Sequence, residues 1–473
     1  MGTTYDVRVW SIEVRKRVRG TYYRVRWTVA GRQHREQFNT VALAESFRSD
    51  LLAAARKGEA FDMDTGLPVS MSRTARAMSW YEFACAFVDM KWPLVAATTR
   101  RTHAEALTAV TASMFTGTRG KPDDKLIRKA LTRWGFNKVK RGDPDMPDEV
   151  RYALRWIAAN TRPVSDLAKP EVLRPLLDAL LVKLDGTPAA TSVVSRRRKI
   201  FNTAVEYAVE RKLLHSNPIP ALKWKIPKAV TVVDRRRVVN PTQARQLLHA
   251  VAQQGRSGPR LVAFYGCLYF AALRPEEAVA LNKRHLDIPE SGWGWLYLDR
   301  AEPHAGKDWT DSGRNRDRRQ LKQRERGETR SVPCPPELTA LIHAHIKQFG
   351  IAPDGRLFRG ERNDQELPKG TINKIWRLAR AAVFPPEVLA SPLAETPYDL
   401  RHAAVSTWLN AGVPAANVAE WAGHSVEVLL KIYAKCLDGG IDLLRARVDR
   451  ALAEQEEATS ADGGLGQAVA NLS

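Results

Sequence analysis

The chain has 473 residues, a length that suggests about three domains, and 44% of them are hydrophobic, enough for several packed cores. Lys and Arg number 74 against 52 Asp and Glu, a formal net charge of +22; with plentiful aromatic and apolar runs this marks a folded basic protein as a whole and points to a polyanionic partner, nucleic acid ahead of an anionic membrane. The four cysteines (Cys85, Cys267, Cys334 and Cys436) form no CxxC pair, and the opening MGTTYDVRVW has no apolar signal core, so a zinc frame, a disulfide scaffold and a secretory leader are not expected and a reducing cytoplasm is.

Residues 5–38 read as strands: Tyr23, Val25, Trp27 and Val29 alternate with Arg24, Arg26 and Thr28, and Ala30-Gly31 supplies a turn. Asn39-Thr40 then caps a helix through Phe47, Leu51 and Leu52 that Gly58 ends. The basic residues Arg15, Lys16, Arg17, Arg19, Arg24 and Arg26 cluster on this small sheet, an arrangement suited to a DNA groove. A linker over 59–75 leads to an all-helical segment that begins at Ser79, with Trp80, Phe83, Phe87 and Val88 on one stripe ended by Trp92-Pro93. Helices are predicted over Thr99–Phe115, around Leu126–Trp134, near Glu149–Ala159, over Pro170–Leu184 and over Ala189–Leu214. The last carries Arg196, Arg197, Arg198 and Lys199 near its start as further candidate DNA contacts.

After a basic linker over 224–240, Asn240-Pro241-Thr242 opens a new domain. Leu261–Leu273 runs thirteen residues without a charge, too short to cross a bilayer, and predicts a buried helix. Arg274 emerges from it at the mouth of another helix, with Pro275 at the first position and Glu277 near enough to orient the arginine. Trp293–Leu298 and Thr329–Val332 read as strands separated by a long basic insertion, Leu338–Phe349 and Ile372–Val383 as helices, and 350–370 as loop.

The richest stretch is Thr396–Tyr433. Thr396 is expected to cap a helix with Pro397 at its first position; this helix carries Arg401 and His402 and stops at Gly412. A short helix through Val418 and Trp421 ends at Gly423 and leaves His424 on the break, and Ser425 caps a third helix with Leu429, Ile432, Tyr433 and Cys436 at helical spacing. Ile441–Leu452 is predicted as a last amphipathic helix, followed by a disordered polar tail over 453–473. No phosphate-binding loop motif occurs, which argues against an ATP-driven motor.

Moving a phosphodiester without metal or nucleotide requires clamped non-bridging oxygens, an in-line nucleophile and a proton for the leaving oxygen. Arg274 and Arg401 offer planar donor forks for the clamp. Tyr433 can hold the phosphate as a covalent ester, and His424 can either donate to the phosphoryl oxygens or take the tyrosine proton. No metal and no cofactor is called for.

The order Leu273-Arg274-Pro275-Glu276-Glu277, then Leu400-Arg401-His402, then Gly423-His424 and Tyr433 resembles the tyrosine recombinases, the phage-integrase family, over roughly residues 240–440. Where that family usually has histidine three residues before the second arginine, this chain has Tyr398, whose phenol can still donate one hydrogen bond to a phosphate oxygen. The resemblance implies a multidomain protein: a small sheet-plus-helix arm-type DNA-binding domain (1–65), an all-α core-binding domain (76–226) and a mainly α catalytic domain with a small antiparallel sheet (236–452). It implies a lysine on the hairpin as general acid. Lys307 and Lys322 are the candidates, and Lys322 is favoured because it leads into a strand rather than lying in a long loop. His402 is expected to buttress Arg401. The implied activity is strand exchange through a 3′-phosphotyrosyl link within a homotetramer on double-stranded attachment-site DNA, with an excision accessory factor as a further partner. The implied setting is a nucleoid-associated protein of a bacterial cytoplasm, carried by an actinobacterial phage or integrative element. Two rivals share features of the chain: a type IB topoisomerase shares the chemistry, and a helix-turn-helix regulator built around Gly412 would tolerate loss of Tyr433.

Overall fold

A computed structural model describes residues 2–17, 20–71, 78–183, 186–225, 232–322, 327–361, 366–433, 445–446 and 448–450. Arg19, Cys436, most of Ile441–Leu452, the tail and parts of both expected linkers lie outside the described residues. The chain divides into two compact units, Met1–Val230 with Pro303–Asp317, and Thr231–Glu302 with Arg318–Ser473.

In the first unit, strands β1 (Thr3–Thr4), β2 (Val7–Val9), β3 (Glu13–Arg17), β4 (Gly20–Val29) and β5 (Arg32–Phe38) precede helix α1 (Val41–Arg56) and strand β6 (Phe61–Asp62), which pairs with β1. The long β4 is central: β2 and β3 share one of its edges and β5 takes the other, all antiparallel. The two-residue period sends Val25, Trp27 and Val29 inward against Phe47 and Leu51 of α1 and turns Arg24 and Arg26 outward. Thr40 accepts from the Leu43 amide and caps α1. This module meets the helical part of the same unit through the Phe47 and His215 rings and the Lys212–Asp50 ion pair at 2.7 Å.

The helices follow as α2 (Trp80–Lys91), α3 (Ala97–Ala112), α4 (Asp124–Ala130), α5 (Asp148–Asn160), α6 (Pro170–Ala179) and α7 (Thr191–Glu210). Four end short of expectation, α3 already at Ala112 rather than Phe115. The wide turn Leu131–Gly135 takes over from α4. After α6 the chain doubles back, with the Lys183 amide on the Thr187 carbonyl and the Ala189 amide on the Leu181 carbonyl. At its far end α7 stops at Glu210, and Lys212 takes a left-handed φ of 59°.

The basic insertion also departs from a plain hairpin. Strands β9 (Arg300–Ala301) and β10 (Arg319–Gln320) pair over two residues each, and the segment between them packs on the helical core of the first unit, burying Ala305 and Trp309. Trp309 stacks on Trp92 with ring centroids 5.9 Å apart, while Arg100 donates to the Trp309 carbonyl at 2.9 Å and to both oxygens of Asp311 at 2.7 and 2.9 Å.

The second unit holds α8 (Pro241–Ala252), α9 (Val262–Phe270), α10 (Pro275–Val279), strands β7 (Leu286–Asp287), β8 (Gly294–Leu298) and β11 (Arg330–Cys334), then α11 (Pro336–Phe349), α12 (Lys369–Val383), α13 (Pro386–Leu389), α14 (Tyr398–Asn410), α15 (Ala415–Ala422) and α16 (Val426–Tyr433). The three strands form one antiparallel sheet with β8 in the middle. Buried on nearly every side, α9 ends three residues before the charge-free run does, because Ala272 takes a left-handed backbone with φ of 48°. Thr396 does not cap α14: both its amide and its hydroxyl donate to the carboxylate of Asp399, which is the acceptor of the pair. Pro397 stands at the N-cap position instead, without a side-chain cap bond. A smaller core of Ala272, Val405, Val418, Leu429 and Tyr433 fixes α14, α15 and α16 together.

Candidate active site

Breaks between helices converge on one buried cluster. Arg274 stands before α10, Glu277 inside it, Arg330 on β11, Arg401 on α14, and His424 after the left-handed Gly423 that ends α15. Exposure is 8% for Arg274, 1% for Arg330 and Glu277, and nil for Arg401 and Tyr433.

Glu277 accepts from three directions: Arg274 Nη1 at 2.6 Å, Arg330 Nη1 at 3.0 Å and Arg330 Nη2 at 2.6 Å. Burial alone would raise its proton affinity, but the two guanidinium groups outweigh it and hold the carboxyl far below the ordinary range. Arg274 spends its other fork nitrogen on the Gly423 carbonyl at 2.8 Å. Arg401 donates to the carbonyls of Ala272 and Ala422 and, at 2.9 Å, to Nε2 of His424. The strained Ala272 backbone thus turns a carbonyl toward an arginine that no solvent reaches. Three guanidinium groups against one carboxylate leave two buried positive charges in excess. Arg401 Nε and His424 Nδ1 are moreover buried without a partner. Unsatisfied donors beside excess positive charge are what a bound oxyanion would complete.

The histidines divide the work. Burial, then Arg401, Arg274 and Arg330, push His424 down to about 3, so it is neutral near pH 7. Its Nε2 accepts from Arg401, so the proton sits on Nδ1, the nitrogen with no partner. His424 therefore presents a free donor and no free acceptor. The ring that faces Tyr433 is His402. Its Nδ1 lies 2.8 Å from Tyr433 Oη, and burial followed by Arg401 and Arg237 pushes it down to about 4, leaving a neutral ring to which the phenol donates. The expected buttress of Arg401 thus lies on the tyrosine. Tyr398 packs edge-on to His402 with ring centroids 5.1 Å apart.

The two lysine candidates fall in different units. Lys307 lies in the segment packed on the helical core, whereas Lys322 is exposed just after β10 in the unit that holds the arginines. Arg330 was not singled out from the sequence. The signal was an arginine on the inward side of a strand, in phase with Val332 and Cys334. Among the DNA-contact candidates, Arg196 and Lys199 are exposed. Arg197 instead donates to the carbonyl of Val182 at 2.9 Å, and Arg198 is half-buried. On the N-terminal sheet Arg24 and Arg26 share Glu13, Arg26 at 2.5 Å. Among the described residues no group of His, Cys, Asp and Glu is gathered for a metal ion, and no helix is long and apolar enough to cross a membrane.

No protein-family model and no curated protein matches the sequence. Among solved structures the chain is similar to the Tn1549 transposon integrase in complex with circular-intermediate DNA, at 16% identity and a TM-score of 0.46 over 69% of this chain and 98% of that one. It is also similar to the XerH site-specific recombinase bound to a palindromic difH substrate, at 10% identity and a TM-score of 0.41 over 76% and 97%. A third similar structure is the lambda integrase bound to DNA, at 12% identity and a TM-score of 0.39 over 71% and 94%.

Proposed function

We propose that the chain is a site-specific DNA recombinase of the tyrosine type, an integrase that cuts and rejoins DNA to integrate or excise a mobile element. The observation that carries this reading is the Tyr433–His402 hydrogen bond of 2.8 Å beside a buried excess of positive charge. A placed nucleophile and its proton acceptor sit next to a site made for a phosphodiester.

In the proposed step Tyr433 Oη attacks phosphorus, the bond to the 5′ oxygen breaks, and a 3′-phosphotyrosyl ester and a 5′-hydroxyl result. The phenol proton passes to His402, and Lys322 supplies the proton for the leaving 5′ oxygen. Arg274 and the Nδ1–H of His424 hold the non-bridging oxygens. Arg401 fixes His424 through its terminal nitrogens and keeps its unpartnered Nε as a further donor to the phosphate. Tyr398 adds a phenol donor in place of the family's histidine. Because Tyr433 has no exposed surface, α16 must release it from its small core before attack. The ester conserves the phosphodiester bond energy, so an incoming 5′-hydroxyl reverses the step and joins a new strand.

This reading carries with it double-stranded attachment-site DNA as substrate, a homotetramer at the crossover, an accessory factor for excision and a place at the bacterial nucleoid. Residues 1–65 would act as an arm-site reader and Arg196 and Lys199 as exposed contacts to DNA phosphates. The test uses the full chain and a duplex of its attachment site nicked beside the scissile phosphate, so that the freed fragment diffuses away. A denaturation-resistant, protease-sensitive protein–DNA adduct should form in excess chelator without ATP. No adduct, or one that returns only with a divalent ion, would reject the mechanism.

A further inference from the structure

Resting on that reading, we propose that Arg330 is a positioning residue for DNA cleavage: by neutralising Glu277 it leaves the charge of Arg274 uncancelled toward the phosphate. Glu277 has an evident task, since it fixes the Arg274 side chain at 2.6 Å and takes the Arg274 backbone amide at 2.9 Å. A carboxylate so close to a clamping arginine also cancels the field that the arginine presents to an anion. Arg330 offsets this. Both its terminal nitrogens lie on the two Glu277 oxygens, at 3.0 and 2.6 Å, and only 1% of the residue is exposed. Glu277 can then orient Arg274 without neutralising it.

The surroundings are shaped for this arrangement. A side chain at Gly423 would run into Arg330 Nη1, and its Cβ would lie 3.2 Å from Arg274 Nη1, so the bare backbone at the end of α15 closes over both guanidinium groups. The Gly423 carbonyl then holds Arg274 from the other side. The formal count makes the role concrete. With Arg274, Arg330 and Arg401 against Glu277 the cluster carries two net positive charges. Arg330→Met leaves one. Arg330→Met combined with Glu277→Gln leaves two again, and the glutamine oxygen can still accept from Arg274.

The test is single-turnover adduct formation by the full chain on nicked attachment-site DNA. The scissile group is either an ordinary phosphodiester or a methylphosphonate, whose methyl group removes the negative charge. Arg330→Met should slow cleavage of the phosphodiester on the order of a hundredfold, the size seen when one preorganised donor is lost, with duplex affinity within about threefold of wild type. On the methylphosphonate its deficit should shrink to within about tenfold, and on the phosphodiester the double variant should recover to within about tenfold of wild type. A purely structural role predicts equal losses on both substrates and no recovery in the double variant; either result overturns the proposal, as does a wild-type rate for Arg330→Met. If Arg330→Met does not fold, the double variant alone decides, because removing both partners of a buried pair leaves no orphaned charge. A folded double variant slowed about a thousandfold would then overturn the proposal. A wild-type chain that forms no adduct on either substrate rejects the recombinase reading itself, an outcome distinct from a wild-type adduct with an indifferent Arg330.

Discussion

Gly423→Ala probes the join between backbone and charge cluster. Gly423 sits at φ 64° and ψ 50°, a left-handed conformation that costs an L-residue about 1–2 kcal/mol. The added methyl also collides with Arg330 Nη1, whose guanidinium is bound to Glu277 on both terminal nitrogens and has no solvent to move into. Loosening one charge-assisted hydrogen bond adds about 1.5–3 kcal/mol, for a total of about 3–5 kcal/mol, set against about 5–15 kcal/mol for an ordinary domain. Gly31→Ala is the control, since Gly31 has a similar φ of 74° but open space around its Cβ, and it should lose only the backbone share. The assay is urea denaturation of both variants alongside single-turnover cleavage. Cleavage by Gly423→Ala should fall at least about a hundredfold through displaced Arg274 and His424, because misplacement of about 1 Å already has that effect. If it unfolds at the same urea concentration as Gly31→Ala and cleaves within about threefold of wild type, the packing argument at Gly423 is wrong.

Three further outcomes follow from the site and its surroundings. Lys322→Ala should fail on normal DNA and recover on a substrate whose 5′-bridging oxygen is sulfur, which needs no proton to leave; rescue of Lys307→Ala instead would move the general acid into the packed segment. His402→Phe should bind duplex DNA normally and cleave on the order of a hundredfold to ten-thousandfold more slowly. In the wild type, cleavage should not respond to His402 near neutral pH and should decline as pH falls toward about 4, where the protonated ring can no longer accept from Tyr433; a pH profile with a histidine-like break near 6.5 would assign the proton acceptor elsewhere. Trp309→Ala should destabilise the first unit by about 3–5 kcal/mol in urea denaturation, as for a buried aromatic residue, whereas a loop lying free would change by less than about 0.5 kcal/mol.

Much of the site was legible because its residues sit at chain breaks that leave local marks. The charge-free run before Arg274, the proline and acids after it, and Gly423 before His424 are all one-dimensional signals of helix ends. What escaped depends on three-dimensional pairing. Arg330 looks like one more cation in a basic insertion until the sheet register turns it inward with Val332 and Cys334. The choice between the histidines needed the distances, because both precede Tyr433 and only His402 reaches its oxygen. The fate of the insertion was hidden for a similar reason. Trp309 lies in a charged stretch with no periodic apolar partners, and its packing partners Trp92 and Arg100 are some two hundred residues away. The left-handed turn at Ala272 was likewise invisible, since alanine there carries none of the signal that a glycine would.

The most direct measurement is mass spectrometry of the protein–DNA adduct trapped on nicked attachment-site DNA, comparing wild type with Tyr433→Phe. The expected result is a peptide carrying a 3′-phosphonucleotide on Tyr433 in the wild type. In Tyr433→Phe, the expected result is no adduct, at duplex affinity within about threefold, because the substitution removes only the attacking oxygen. An adduct on another residue, or one that persists in Tyr433→Phe, would contradict the assignment of Tyr433 as the nucleophile and with it the mechanism built around His402.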